Sequence, residues 1–405
     1  MPLYEGVGLV GDKHAVIFDI GSSYTKCGFA TEFSPRAIIP SIVADGSLND
    51  LEAKNTTKVV DYNRPKEEQF KVFAKFLHQL YFKHLLVNPK ERRVVIVESV
   101  LTPTDYRNLL AKVFFDYFDV PSVVFAPVHL LACFPLGTQS SLVVNVGYTE
   151  TLVLPVFEGV PMLNCWEASP LAAKAIHKSI EKLLKSKCNV RTTSGELPLS
   201  DCPEVLNEDA LEDIKVRTSF VTHMDRGRKL QAALADASLA DKLPKPVPSV
   251  EYQIDGDKTL LVKGEVREAC HECLFESDGD DKSIPQLIID SLLRCPIDLR
   301  RPLAERILVV GGTAMAPGFL ARLKAEILDI LSDTTKPYAA KLPLKTVKFF
   351  KAPAKENFVG WLGGSMFGAL EVLPHRSVSK EQYQQNAHIP DWTSFDNSLT
   401  YLIDA

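Results

Sequence analysis

Residues 15–29 read AVIFDIGSSYTKCGF, from Ala15 to Phe29: an apolar, β-branched run, then Asp19, then Gly21-Ser22-Ser23 and, three residues on, Lys26. Such a run has the composition of a buried strand, and its abrupt end in Gly marks a tight turn. Two later stretches share the form, Ser141 to Gly147 (SLVVNVG) and Arg306 to Thr313 (RILVVGGT). Glycine tolerates positive φ, and without a Cβ it lets backbone N–H groups come close to an anion. Three strand-to-Gly turns in one chain point to a phosphate cradle.

The chain has 405 residues, long for one simple core, so two domains or two repeated halves are expected. With 46 Lys plus Arg against 51 Asp plus Glu, the net charge of −5 speaks for neither a nucleic-acid nor a membrane surface. No apolar run approaches the ~20 residues needed to span a bilayer, so no membrane insertion is expected. The opening MPLYEGVGLVGDKH lacks the basic-then-apolar layout of a secretory signal, which favours a cytosolic or nuclear address. Eight cysteines, mostly among apolar neighbours, fit reduced thiols.

Outward from residues 15–29, strands alternate with helices. Phe29 to Ile42 suggests a short strand pair and Val43 to Thr57 a loop, while Phe70, Phe73, Leu77, Leu80 and Tyr81 recur at helical spacing from Lys66 onward. Arg93 to Val97 and Pro121 to Ala126 predict strands. Thr102-Pro103-Thr104-Asp105 supplies N-cap, N1 and N3 of a helix expected to reach about Phe118, and another follows through His129 to Phe134. Past Gly147, Thr151 to Glu158 and Val160 to Asn164 predict a β-meander that weakly repeats the first. Ser169-Pro170 predicts the start of a helix to about Lys185, Val190 to Cys202 a loop, Glu208 to Ser219 a helix carrying Lys215, Leu243 to Ser249 a connector and Asp278 to Ser283 an acidic turn. Ile284 to Cys295 and Pro317 to Ile330 predict helices, Thr346 to Phe350 a last strand, Phe358 to Leu370 a closely packed helix, and Pro374 onward a polar tail.

Two halves that each open on a strand and a Gly turn, with a later Gly-Gly-Thr turn, resemble the actin, hexokinase and Hsp70 superfamily. Particular stretches are similar to actin's motifs: Ala15 to Phe29, Pro35-Arg36-Ala37 with Pro40 to Val43, Phe157-Glu158-Gly159, Asp213-Ile214-Lys215, Gly311 to Gly318 and Trp361 to Ser365. They stand in actin's order and cover nearly the whole chain. The resemblance implies an α/β, actin-like fold of two duplicated α/β halves around a central nucleotide cleft. It places a first half with a shortened small lobe at 1–140, a second half at 141–345, and a C-terminal segment returning to the first half at 346–405. Lys83 to Pro89, Leu163 to Trp166, Cys295 to Asp298 and Arg376 to Lys380 further resemble the divergent actin-related branch at the pointed end of dynactin.

In an active member of that family, the resemblance implies, two acidic strand ends flank the phosphates and hold a divalent cation through water. Asp19 matches the first, Gly21 and Ser22 match the first phosphate loop, and Lys26 matches the lysine that meets the phosphate charge. The plain alternative is a strand turn beside a surface Lys. Ser23 stands where the family has Gly. Gly147 matches the second loop, but Asn145 and Tyr148 each replace an Asp there. An amide lacks the charge to hold a hard cation, and a phenol adds bulk where phosphate should sit. Val128 and Leu152 occupy the places of the Gln and His that orient the attacking water, work typically worth ~10²–10⁴ in rate. His129 follows Val128 but points about 100° away on a helix and reads as a packing or surface residue. Gly311, Gly312, Thr313 and Met315 match the turn that lines the adenosine, with a tight strand-to-helix connection as the alternative, and Lys215 matches a base or ribose contact. Val216 and Asn357 replace a Glu and a Lys and weaken that side.

ATP or ADP with Mg is therefore a candidate ligand without turnover, no residue is assigned a catalytic role, and no metal ligand is assigned from the protein. Cys270-His271-Glu272-Cys273 has the spacing of half a zinc site but lies in a helical pattern with no second pair. The pointed-end lobe is short and the loop that inserts into a neighbouring subunit is not recognisable, so a chain that joins a filament through one face, without self-polymerising, is expected. The resemblance implies a cytoplasmic, cytoskeletal cap on the actin-related filament of dynactin that also binds other pointed-end subunits for dynein-driven, microtubule-based transport. A slow ATPase of the superfamily and a nuclear actin-related subunit of a chromatin complex are the alternatives.

Overall fold

The computed structural model describes residues 13–44, 56–192, 195–199, 206–236, 238–239, 243–255, 258–276, 282–335, 337–386 and 389–390. Most of the loop expected at Val43 to Thr57, most of the acidic turn at Asp278 to Ser283 and the tail past Pro390 lie outside them. The chain divides into two compact units, one of Met1–Gln139 with Phe358–Ala405 and one of Ser140–Asn357.

The first unit is built on a mixed six-stranded sheet. In spatial order its strands are Val378–Ser379, Ser122–Pro127, Val94–Glu98, Val16–Ile20, Tyr24–Phe29 and Ala37–Pro40. Val16–Ile20 runs parallel to Val94–Glu98 and antiparallel to Tyr24–Phe29. Val16, Ile17 and Phe18 have no exposed surface, as a strand covered on both faces requires. On one face Phe18 meets Tyr81 edge-on (centroids 5.4 Å) and stacks on Phe114 (5.9 Å). The helix Lys66–Gln79 brings Phe73, Phe76 and Leu77 to that core, each full burial contributing about 1.5–3 kcal/mol. On the other face lies the helix Val359–Gly368, whose fully buried Trp361 donates from Nε1 to Ile17 O at 3.3 Å. Its small residues are required: a Cβ on Gly363 would stand 1.8 Å from Leu131 O.

The second unit repeats that hairpin-plus-parallel-strand core. Ser141–Val146 pairs antiparallel with Thr151–Phe157 and parallel with Ile307–Val310. Helix Ile284–Arg294, started by a Ser283/Gln286 capping box, and helix Phe319–Ser332 cover the sheet with Leu287, Ile288, Phe319, Leu323 and Ile327.

Several local expectations differ. The helix predicted from Thr102 starts at Thr104 with Pro103 at the N-cap and no side-chain cap, then widens into a π-helical turn at Val113–Tyr117. Ser169 ends a short strand, and the helix after it is Ala173–Lys187. Val190 to Cys202 is not wholly a loop: Asn189–Thr192 and Gly195–Pro198 form a hairpin that is mostly exposed, with Val190 alone buried, so it carries no strand-like apolar alternation. Residues 346–350 form no strand beyond a single parallel bridge, Phe349 to Ile307, and group with the second unit. The tail contributes the edge strand Val378–Ser379 and the helix Lys380–Asn386, which buries Tyr383 on Phe115 (centroids 4.4 Å).

Candidate functional site

Each unit carries one group of the expected site residues at the end of its central hairpin. In the first, Asp19 and Lys26 are opposite each other in the register and form an ion pair, Oδ2 to Nζ 3.0 Å. The turn between them is pinned. Gly21 N–H donates to Tyr24 O at 3.2 Å, the Ser41 hydroxyl donates to Gly21 O at 2.6 Å, and Ser41 N–H donates to Ser23 O at 2.8 Å. Ser41 is itself held 2.8 Å from the buried Thr25 hydroxyl. Ser22, half-buried, sits at the tip. Gly21 N–H is held by Tyr24 O and Lys26 by Asp19, so what this turn can offer a phosphate is the Ser22 hydroxyl, with Lys26 where it shares its charge between Asp19 and the anion.

The first unit also places Val128 in the short helix Val128–Leu131, its side chain against Gly360. His129 has no exposed surface and is a core residue.

In the second unit the turn after Ser141–Val146 is closed by its own groups. Gly147 N–H donates to Glu150 O at 3.0 Å; Gly147 O accepts from the Thr313 hydroxyl at 2.7 Å and from Ala173 N–H at 3.3 Å. The structure thus brings Gly147 and Thr313 together and engages the Thr313 hydroxyl in doing so. Gly311 adopts φ +100°, and a Cβ there would stand 2.2 Å from Val146 O and 2.9 Å from Asn145 Oδ1. Its bareness serves the close approach of two strand ends. Gly312 faces open space, and Met315, 42% exposed, ends the following 3₁₀ turn. Asn145 lies between Leu152 and Val310 in the sheet register, and Leu152 is buried.

Tyr148 and Lys215 belong to one network. The Tyr148 hydroxyl donates to Glu208, and its ring meets His177 edge-on (centroids 5.6 Å). His177 Nε2 is 2.9 Å from Glu212 Oε2; Lys215 Nζ is 2.6 Å from the same oxygen and 3.2 Å from His177 Nε2. Burial pushes the Glu212 carboxyl up, but the His177 hydrogen bond and the Lys215 charge pull it further down, to about 2. Helix Glu208–Thr218, capped by Asn207 accepting from Ala210 N–H at 2.7 Å, presents Glu208, Glu212 and Lys215 together. Val216, on the same helix, is 66% exposed. At Gly147, the expected phosphate contact, the N–H is taken by Glu150 O and Asn145 beside it brings no charge, while the Thr313 hydroxyl and Lys215, expected at the adenosine and at the base or ribose, have partners within the unit.

Sequence reasoning did not find Glu208, Glu212 and His177. The Glu212/Lys215 spacing of three on a predicted helix is the signal that marks the pair; His177 comes from another helix and leaves none.

The Cys270 to Cys273 stretch is also set in the core. Burial pushes the Cys270 thiol up to about 12, and burial with the Lys215 charge brings His271 down to about 4. Glu272 is fully buried and meets Arg322, itself without exposed surface, at 2.8 and 3.1 Å, while accepting from the Thr222 hydroxyl and Gln231 at 2.9 Å each. Among the described residues no group of three or more His, Cys, Asp or Glu is placed to hold a metal ion, and no helix is long and apolar enough to cross a membrane.

Comparison with known proteins agrees with the expected likeness. The family described as Actin matches residues 10–389. The chain is similar to Actin-related protein 10 of Dictyostelium discoideum, 26% identical over 444 residues, covering 96% of this chain and 91% of the relative. It is also similar to Putative actin-29 of the same organism, 25% identical over 396 residues, covering 92% and 94%.

Proposed function

The chain belongs to the actin family, and from that premise we propose that it is a non-catalytic actin-related subunit that closes the pointed end of dynactin's actin-related filament. It would bind that filament through one face and the remaining pointed-end subunits through others, as a cytoplasmic, cytoskeletal protein in dynein-driven transport. The likeness to a relative named Actin-related protein 10 supports this choice of branch.

The observation that carries the non-catalytic reading is the second unit's turn. Asn145 stands where a carboxylate would hold a cation, Tyr148 is turned onto Glu208 and His177, and Lys215 is neutralised by Glu212. Leu152 and Val128 carry no lone pair with which to orient water. The turn at Asp19 to Lys26 is what remains to hold a nucleotide phosphate, and nucleotide held there would add stability by mass action without being turned over.

Purified chain added to actin-related filaments is expected to stop elongation at the pointed end alone, with phosphate release from ATP at background. A release rate above background that Asp19→Ala abolishes would overturn the non-catalytic reading. Chromatin-complex subunits, in place of dynactin subunits, co-purifying from cells would overturn the partner assignment.

A further inference from the structure

We propose that Ser34 is a phosphorylation site, the acceptor of the γ-phosphoryl group of ATP from a proline-directed protein kinase. It opens the run Ser34-Pro35-Arg36 and is exposed, beside Phe33, which at 88% is the most exposed large apolar side chain among the described residues. The loop is held at both ends. Thr31 N–H donates to Ser365 O at 3.4 Å and the Ser365 hydroxyl donates to Glu32 O at 2.8 Å, while Ala37 begins Ala37–Pro40, the edge strand of the six-stranded sheet. Between these anchors neither Phe33 nor Ser34 makes a hydrogen bond with another described residue. The Ser34 hydroxyl is therefore open to an incoming enzyme, and Pro35 biases Ser34 toward an extended backbone.

The fold singles this serine out. The sequence holds three Ser-Pro or Thr-Pro pairs, at Ser34, Thr102 and Ser169. Thr102 is half-buried and its N–H donates to Ser99 O at 3.1 Å; Ser169 is 5% exposed and stands opposite Thr151 in the sheet register. A kinase pocket that offers no acceptor to the N–H after the acceptor residue selects proline there, because any other residue would leave that N–H buried and unpaired. Of the three pairs, only the one at Ser34 has an exposed hydroxyl to bring to such a pocket.

In the transfer the Ser34 Oγ bonds to the γ-phosphorus of ATP as the bond from that phosphorus to the bridging oxygen breaks. ADP leaves, and the hydroxyl proton passes to the kinase's catalytic carboxylate. Arginines stand close to the acceptor. The Arg36 and Arg92 guanidinium groups lie 4.3 Å and 4.8 Å from the centroid of the same Phe29 ring. Arg36, 49% exposed, is 2.6 Å from Glu32, whose other carboxylate oxygen accepts from Phe29 N–H at 2.8 Å. A phosphate of about −1.5 to −2 charge two residues away competes with Glu32 for Arg36 and turns this corner of the first unit acidic. The inference does not depend on filament capping.

The test incubates the purified full-length chain with a cyclin-dependent and with a mitogen-activated protein kinase, each with ATP, and maps the product by mass spectrometry. The expected product carries one phosphate, on Ser34. Ser34→Ala should bring incorporation to background, and Pro35→Ala should lower it about tenfold or more. Because the Ser34 hydroxyl bonds to no described residue, Ser34→Ala should keep its thermal midpoint, which separates a lost acceptor from a lost fold. Phosphorus NMR of the product should show the second ionisation of the phosphoserine below its ordinary ~6, moving back toward it in Arg36→Gln. No incorporation with either kinase, phosphate on Thr102, Ser169 or another residue in place of Ser34, or incorporation unchanged in Pro35→Ala would each overturn the proposal. An ionisation indifferent to Arg36→Gln would overturn the pairing of the phosphate with arginine.

Discussion

Lys26 Nζ lies 3.0 Å from Asp19 Oδ2, directly across the hairpin that opens the first unit. Both side chains are mostly buried, at 15% and 17% exposure, so each is the counter-charge that makes the other tolerable there. Lys26→Met and Asp19→Asn should each destabilise the chain by about 1–3 kcal/mol, and the double variant by less than their sum. A denaturant double-mutant cycle checks this. Additive effects would mean that the two charges act independently.

Gly311 and Gly312 are neighbours with opposite surroundings. At Gly311 a methyl group meets Val146 O at 2.2 Å and must adopt φ +100°, whereas at Gly312 it meets nothing within 4 Å. Gly311→Ala should therefore cost about 2–4 kcal/mol, and Gly312→Ala should stay within about 0.5 kcal/mol, with or without added nucleotide. Urea midpoints distinguish them. Equal costs would argue that the pair serves a ligand more than the backbone approach.

Arg322 and Glu272 form a fully buried fork at 2.8 and 3.1 Å, extended by Glu326 and Arg228. Arg322→Met leaves Glu272 without its cation in the core and should lose about 3–5 kcal/mol, a large share of an ordinary fold's stability, whereas Glu272→Gln leaves Arg322 paired with Glu326 and should lose less, about 1–3 kcal/mol. Lys324→Ala, two residues along but exposed, should stay within about 0.5 kcal/mol. Chemical unfolding of the three variants measures the contrast.

Stability should fall in acid along two limbs. His271 is brought from 6.5 down to about 4 in the fold, by burial and then by the Lys215 charge. The unfolded chain takes up that proton first, so stability declines as pH drops from about 6.5 to 4. Glu212 opposes burial with the His177 hydrogen bond and the Lys215 charge and ends at about 2, below its ordinary 4.5. Its contribution is complete above 4.5 and is lost as pH falls toward 2. Each limb is worth at most about 3 kcal/mol. Unfolding midpoints against pH should lose the upper limb in His271→Gln and the lower one in Glu212→Gln.

Strand runs and breakers were readable because local chemistry writes them: Val16 to Phe18, Val94 to Val97 and Leu142 to Val144 are apolar runs buried on both faces, and the helices from Lys66 and Ile284 carry their own period. The hairpin Asn189–Thr192 with Gly195–Pro198 is not legible because a mostly exposed pair of strands with Val190 alone buried lacks that pattern. The helix starts at Thr104, two residues past Thr102, because Pro103 itself stands at the N-cap, without a side-chain cap. In the site, Asp19, Gly21, Ser22 and Lys26 were legible since one hairpin brings them together within eight residues.

The sequence by itself determined the family, through motifs in order along nearly the whole chain, and which side-chain types stand at Asn145, Tyr148, Val128 and Leu152. Only the tertiary structure decided what the site residues touch. That Tyr148 turns onto Glu208, that Lys215 meets His177 from another helix, and that Gly311 clears Val146 O are contacts between segments distant in the chain. No local pattern encodes such distances; they follow from how sheets and helices pack, and packing fixes which polar groups remain available to a ligand.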